Sequence, residues 1–100
     1  AAKAWVARVR SAIVAPNRAG AKIRVYAGGR DQAVTPDNVA CLRRFLAQHG
    51  ARGDFCVAPT ADHQSIVRQA FVSGLDWLDA VVAGKPQVPC PSAFAHTCPW

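Results

Sequence analysis

The run Lys22-Ile23-Arg24-Val25-Tyr26-Ala27-Gly28-Gly29-Arg30-Asp31-Gln32-Ala33-Val34-Thr35-Pro36 decides the architecture of this chain. Residues 22–27 alternate in polarity and are rich in β-branched side chains, which predicts a strand, and Gly28-Gly29 ends it. Thr35 stands as a helix N-cap, with Pro36 in the first turn and Asp37 at the positive end of the helix dipole. The helix that follows extends to residue 48, with Val39, Leu42, Phe45 and Leu46 on one face and Gly50 just beyond its end. The same succession then repeats. Residues 54–58 form a short apolar strand closed by Pro59, and after His63 a long helix extends to about residue 83. Its apolar set is Ile66, Val67, Ala70, Phe71, Leu75, Leu78, Val81 and Val82, and Gly84-Lys85-Pro86 stops it. Gly74 inside it costs about 1 kcal/mol against alanine, which argues against a straight run.

Upstream, residues 2–13 read as an amphipathic helix through Trp5, Val6, Val9 and Ile13, and residues 16–20 (Pro-Asn-Arg-Ala-Gly) form a turn cluster. Residues 50–53 are loop. Residues 87–100, with Pro89, Pro91, Pro99 and two cysteines, read as an extended strap. The predicted order is α-β-α-β-α, an α/β arrangement with parallel strands and right-handed crossovers. Residues 1–86 belong to that unit and residues 87–100 to the tail. Parallel sheets are covered on both faces, and two short strands between three helices leave an edge open and helix surface uncovered. The unit is therefore expected to be incomplete without the rest of a sheet.

Composition narrows the function classes. The chain has 100 residues, 51% of them hydrophobic, which suits one small globular domain and excludes a disordered one. Twelve Lys and Arg against six Asp and Glu give a net charge of +6. The basic residues are scattered from Lys3 to Lys85 and form no stripe, so a solvated basic surface is favoured over a nucleic-acid groove. Such a surface could help adsorption to anionic interfaces. No stretch reaches the ~18 apolar residues of a membrane span. Methionine is absent, and Ala1 opens directly into helical spacing without a capping residue, so the start is expected to be a cut through something larger.

The four cysteines, Cys41, Cys56, Cys90 and Cys98, contain no Cys-x-x-Cys pair of a zinc site. They predict disulfides in an exported protein, secreted or periplasmic; ordinary thiols of a cytosolic enzyme are the alternative. Of the three possible pairings, Cys41–Cys56 with Cys90–Cys98 is favoured. Its first bridge closes a loop of about 15 residues, contributing roughly 3 kcal/mol. Another pairing ties Cys41 or Cys56 to the C-terminal strap.

Asp31 and His63 each sit where a strand gives way to a helix, so neighbouring parallel strands bring them to one sheet edge. A carboxylate beside an imidazole there is the orienting half of a Ser-His-Asp triad. No Gly-x-Ser-x-Gly occurs in the chain, so the nucleophile must come from elsewhere. Ser65, two residues from His63, lacks a strand-to-helix elbow and is not read as the nucleophile. Asp62 is read as a loop or capping group, since adjacent side chains point in different directions. His49, in the last turn of its helix, is read as structural, and His96 is unassigned. Trp5, Trp77 and Trp100 are read as packing residues. No metal or other cofactor is expected.

The ordered combination Gly28-x-x-Asp31-x-x-Val34-x-Pro36, the helix to Gly50, the strand at 54–58, Asp62-His63 and the helix ending Trp77-Leu78…Gly84-Lys85-Pro86 resembles the C-terminal third of an α/β-hydrolase. Within that fold it is most similar to the secreted lipases of the secretory lipase family, over residues 5–90. The resemblance implies a serine carboxylic ester hydrolase, a lipase or esterase, in which Asp31 and His63 are the triad acid and base. It places the nucleophile elbow and oxyanion hole earlier in the fold, on a separate or missing segment, and implies an ester or lipid substrate. The isolated chain is then expected to be inactive. Two other classes compete: a non-catalytic hydrolase-like binding module, and a basic processed peptide acting on membranes or nucleic acid.

Overall fold

A computed structural model describes residues 1–13, 20–51, 53–88, 90 and 94–100. The elements are α1 (Ala2–Ser11), β1 (Ile23–Gly28), α2 (Pro36–Gln48), β2 (Gly53–Ala58) and α3 (His63–Val82). The order is the predicted α-β-α-β-α, with boundaries displaced by a residue or two. Residues 16–19 of the expected turn cluster, Arg52 of the loop at 50–53, and Pro89 and Pro91 of the strap lie outside the described residues.

β1 and β2 form a two-stranded parallel sheet whose register runs from Ile23 opposite Gly53 to Gly28 opposite Ala58. Alternate residues of a strand face opposite sides. Arg24 and Tyr26 face α3: the Tyr26 hydroxyl lies 3.0 Å from the Ser73 hydroxyl, and the Arg24 guanidinium stacks 5.4 Å from the Trp77 ring centre. Phe55, on the other face, lines a groove with Arg43 and Ala47 of α2. Gly74 does not break α3. It lies over the Tyr26 ring, where an added Cβ would still stand 3.7 Å from the nearest atom.

The helix ends are closed as their sequences predict. Thr35 caps α2 by accepting from the Asn38 amide. Beyond α2, Gly50 turns left-handed (φ +73°), and the amides of Gly50 and Ala51 bond the carbonyls of Ala47 and Leu46. Beyond α3, Gly84 (φ +64°) does the same, with Gly84 and Lys85 donating to Val81 and Ala80. Both are Schellman closures, which stop a helix while satisfying its last carbonyls.

The core is small and built largely of small side chains: Ala27, Val39, Ala40, Leu46, Ala51, Cys56, Ala61 and Ile66. Much of the apolar pattern remains uncovered. α1 buries no residue, and only Ile66 of the α3 set is buried, while Phe71 is 68% exposed. Trp5 and Trp100 are likewise exposed, so neither is a packing residue within the described chain. Trp77 does pack, beneath Arg24, and its indole N–H donates to Gln87 Oε1.

The disulfides correct the favoured pairing. The bridges are Cys41–Cys98 and Cys56–Cys90, with Cα–Cα distances of 4.5 and 5.1 Å. Sheet alternation supplies the reason. Cys56 faces the α3 side, in a groove with Tyr26, Ile66 and Val72, whereas Cys41 lies on α2 against the other face. The tail therefore meets each cysteine separately. It is further held by the Arg24 guanidinium on the Val88 carbonyl (2.6 Å), Arg44 on the Trp100 carbonyl (3.1 Å) and the Phe94 ring beside Phe55. Among the described residues no helix is long and apolar enough to cross a membrane.

Candidate active site

The C-terminal ends of β1 and β2 are held together by backbone. The Gly29 amide donates to Ala58 O (2.8 Å) and the Arg30 amide to Ala61 O (2.9 Å), which extends contact between the two loops past the last strand residues. Gly28 and Gly29 make this approach possible. A Cβ at Gly28 would stand 2.5 Å from Ala61 O, and one at Gly29 would collide with the Pro59 carbonyl. Neither glycine has a positive φ, so they are required for close approach and not for an unusual turn conformation.

Beyond this seam the chain turns back through the Asp31 amide on Gly28 O (3.2 Å) and delivers the Asp31 side chain into the protein, where it is 6% exposed. Its carboxylate is 5% exposed, as is the Arg24 side chain. Asp31 Oδ1 accepts from the amides of Ala33 (2.8 Å) and Val34 (2.9 Å). Oδ2 faces His63 Nδ1 at 3.0 Å, across 32 residues of sequence. The Val34 amide, chiefly, with the imidazole and the Ala33 amide, outweighs the cost of burial and holds the carboxyl below its ordinary range. The carboxylate thus stays ionised at neutral pH and immobile, since one oxygen is fixed by backbone and the other is turned to the ring.

His63 is the first residue of α3. A carboxylate facing Nδ1 can only accept, so Nδ1 carries the N–H, and in the neutral ring the lone pair lies on Nε2. The imidazole is 59% exposed, while its carboxylate partner is only 5% exposed. One nitrogen is anchored inside the protein, and the ring presents its other side to whatever approaches the sheet edge.

The neighbouring polar residues have other tasks. Asp62 caps α3: its Oδ1 accepts from Gln64 N (3.0 Å) and Ser65 N (2.8 Å), and Ser65 Oγ accepts from Asp62 N (2.9 Å). Both groups are engaged locally, and Asp62 does not compete for the ring. His49 Nδ1 meets the Phe45 carbonyl at 2.9 Å at the end of α2, and its ring lies 4.3 Å from that of Phe45. His96 Nδ1 lies 3.6 Å from Asp37 Oδ1, tying the tail to the start of α2. Among the described residues no group of three or more His, Cys, Asp or Glu could hold a metal ion.

The two backbone amides that fix Asp31 have a local signature, since an aspartate two and three residues ahead of free amides marks an Asx turn. Arg24 in a strand reads as a solvent-facing residue, yet its side chain is only 5% exposed.

Together these features define a class of site: a buried, amide-anchored carboxylate paired with an exposed imidazole at the C-terminal edge of a parallel sheet. No protein-family model, curated protein or solved structure matches the chain.

Proposed function

We propose that this chain supplies the acid–base half of a secreted serine ester hydrolase of the α/β-hydrolase type, with the serine nucleophile and oxyanion hole contributed by the protein that completes the sheet. The observation that carries this reading is the hydrogen bond between Asp31 Oδ2 and His63 Nδ1, which leaves an open imidazole face at a sheet edge. The uncovered apolar side chains of α1 and α3 and the two-stranded sheet support the need for that completing protein. The two disulfides suit an oxidising compartment outside the cytosol.

In this mechanism His63 Nε2 takes the proton of the serine hydroxyl as Oγ bonds the ester carbonyl carbon. Asp31 holds the ring orientation and stabilises the imidazolium without taking the proton. As the carbonyl re-forms and the C–O bond to the alcohol breaks, His63 gives that proton to the departing oxygen. Water then repeats the sequence on the acyl-enzyme, and the carboxylic acid leaves.

The test is hydrolysis of a chromogenic ester by the native protein with whatever polypeptide copurifies. His63→Ala should lower turnover by about 10⁴ to 10⁶; a loss under tenfold refutes the role. If the 100-residue chain is instead a cooperatively folded monomer without esterase activity, a non-catalytic binding module replaces this reading.

A further inference from the structure

His63 does not hold its own position. As the first residue of α3, its Cα goes wherever the helix N-terminus goes. That terminus is fixed by a reciprocal pair: Asp62 Oδ1 accepts from the amides of Gln64 and Ser65, and Ser65 Oγ accepts from the Asp62 amide, so the residues on either side of His63 are locked to one another. The loop entering it is fixed as well, since Ala61 is 2% exposed and its carbonyl holds the Arg30 amide in the turn after β1 that delivers Asp31. We infer that Asp62 and Ser65 are positioning residues for the Asp31–His63 pair: the capping box sets the start of α3 where the imidazole meets the buried carboxylate.

The inference rests on the triad reading for its catalytic consequence, but its structural core is independent of it. Asp62 touches no reacting atom. Its carboxylate is spent on the start of α3, where the Ser65 amide first, then the Ser65 side chain and the Gln64 amide, hold it below the ordinary carboxyl range. Frayed by one turn, α3 would release the backbone of His63 while leaving Asp31 fastened by Ala33 and Val34. The pair would then open from the histidine side. Capping and charge separate cleanly here, because asparagine caps a helix about as well as aspartate and carries no charge.

The experiment compares Asp62→Ala, Asp62→Asn and Ser65→Ala in the native protein with histidine-selective ¹⁵N labelling, reading the His63 Nδ1–H resonance and its exchange with water, alongside ester turnover. A lost N-cap shifts its local equilibrium by a factor of about 2 to 30. Asp62→Ala should therefore speed Nδ1–H exchange by about that factor and lower kcat with KM little changed, Ser65→Ala should do so less, and Asp62→Asn should restore both. Unchanged Nδ1–H exchange in Asp62→Ala overturns the inference, as does an Asn variant no better than Ala, which would make charge the operative property. Should Asp62→Ala fail to fold, Ser65→Ala and Asp62→Asn carry the comparison. Absence of esterase activity in the unmodified protein removes the hydrolase reading alone, because the exchange measurement still decides whether the capping box positions His63.

Discussion

Replacing Gly28 by alanine tests whether the seam between the two loops builds the site. The added Cβ would lie 2.5 Å from Ala61 O, 3.1 Å from Ala61 C and 3.2 Å from Asp62 O. All three are backbone atoms, so no side chain can rotate away. An ordinary van der Waals contact at this position begins near 3.4 Å, so the 59–62 loop must retreat by several tenths of an ångström to about 1 Å. The Asp31–His63 distance is 3.0 Å, and a retreat of that size carries it to or past the ~3.5 Å limit of a useful hydrogen bond. Overpacking of this kind costs about 1 to 3 kcal/mol, which for a domain of this size lowers the melting midpoint by roughly 5 to 20 °C. A misplacement approaching 1 Å costs about 10² in rate where geometry governs catalysis. The assay pairs thermal unfolding with ester turnover. Gly74→Ala is the control: its Cβ would meet nothing closer than 3.7 Å, and it should stabilise α3 by up to about 1 kcal/mol. A Gly28→Ala protein as stable and as active as the parent would refute the steric account of the seam.

Asp31→Asn keeps the shape of the side chain but loses the charge that selects the tautomer of His63, and should lower kcat by about 10⁴ with KM little changed; a loss under tenfold would speak against an orienting carboxylate. Asp31 and Asp62 both titrate below the ordinary value of 3.8 in the folded protein, so the unfolded chain takes up protons first as pH falls. Their contribution to stability is then complete above about pH 5 and is lost as pH drops through 4 and below; melting midpoints that rise with acidification over that range would contradict it. The bridges are nested, so with Cys56–Cys90 closed the path between Cys41 and Cys98 shortens from 57 residues to about 23. The chain-entropy relation then assigns about 4 kcal/mol to the inner bridge and about 3.5 to the outer, which together approach the whole stability of a small domain. Reduction should unfold the unit at room temperature, and a reduced protein with an unchanged urea midpoint would contradict this.

What the sequence disclosed and what it withheld divide along one physical line. Local signals were readable: Thr35 and Pro36 open α2, Gly50 and Gly84 close α2 and α3, and the alternation around Val25 makes β1. The meeting of Asp31 with His63 was also readable, because it follows from two strand ends lying side by side. Face and distance were not. The pairing of the cysteines depends on which side of β2 Cys56 faces, and a single strand with apolar residues on both faces does not declare it. The exposed Trp5 and Phe71 read as core because helical periodicity identifies an apolar face, not what covers it. The need for Gly28 and Gly29 lies in the approach of a second loop thirty residues away, which no local rule contains.

The most direct measurement is covalent labelling of the native protein with a fluorophosphonate, followed by mass mapping of the modified serine, for the parent and for His63→Ala. Modification of a serine outside residues 1–100, slowed about 10³-fold or more by the substitution, is the expected result. Labelling at an unchanged rate in His63→Ala would contradict the central claim that the imidazole held by Asp31 activates a nucleophile brought to this sheet edge.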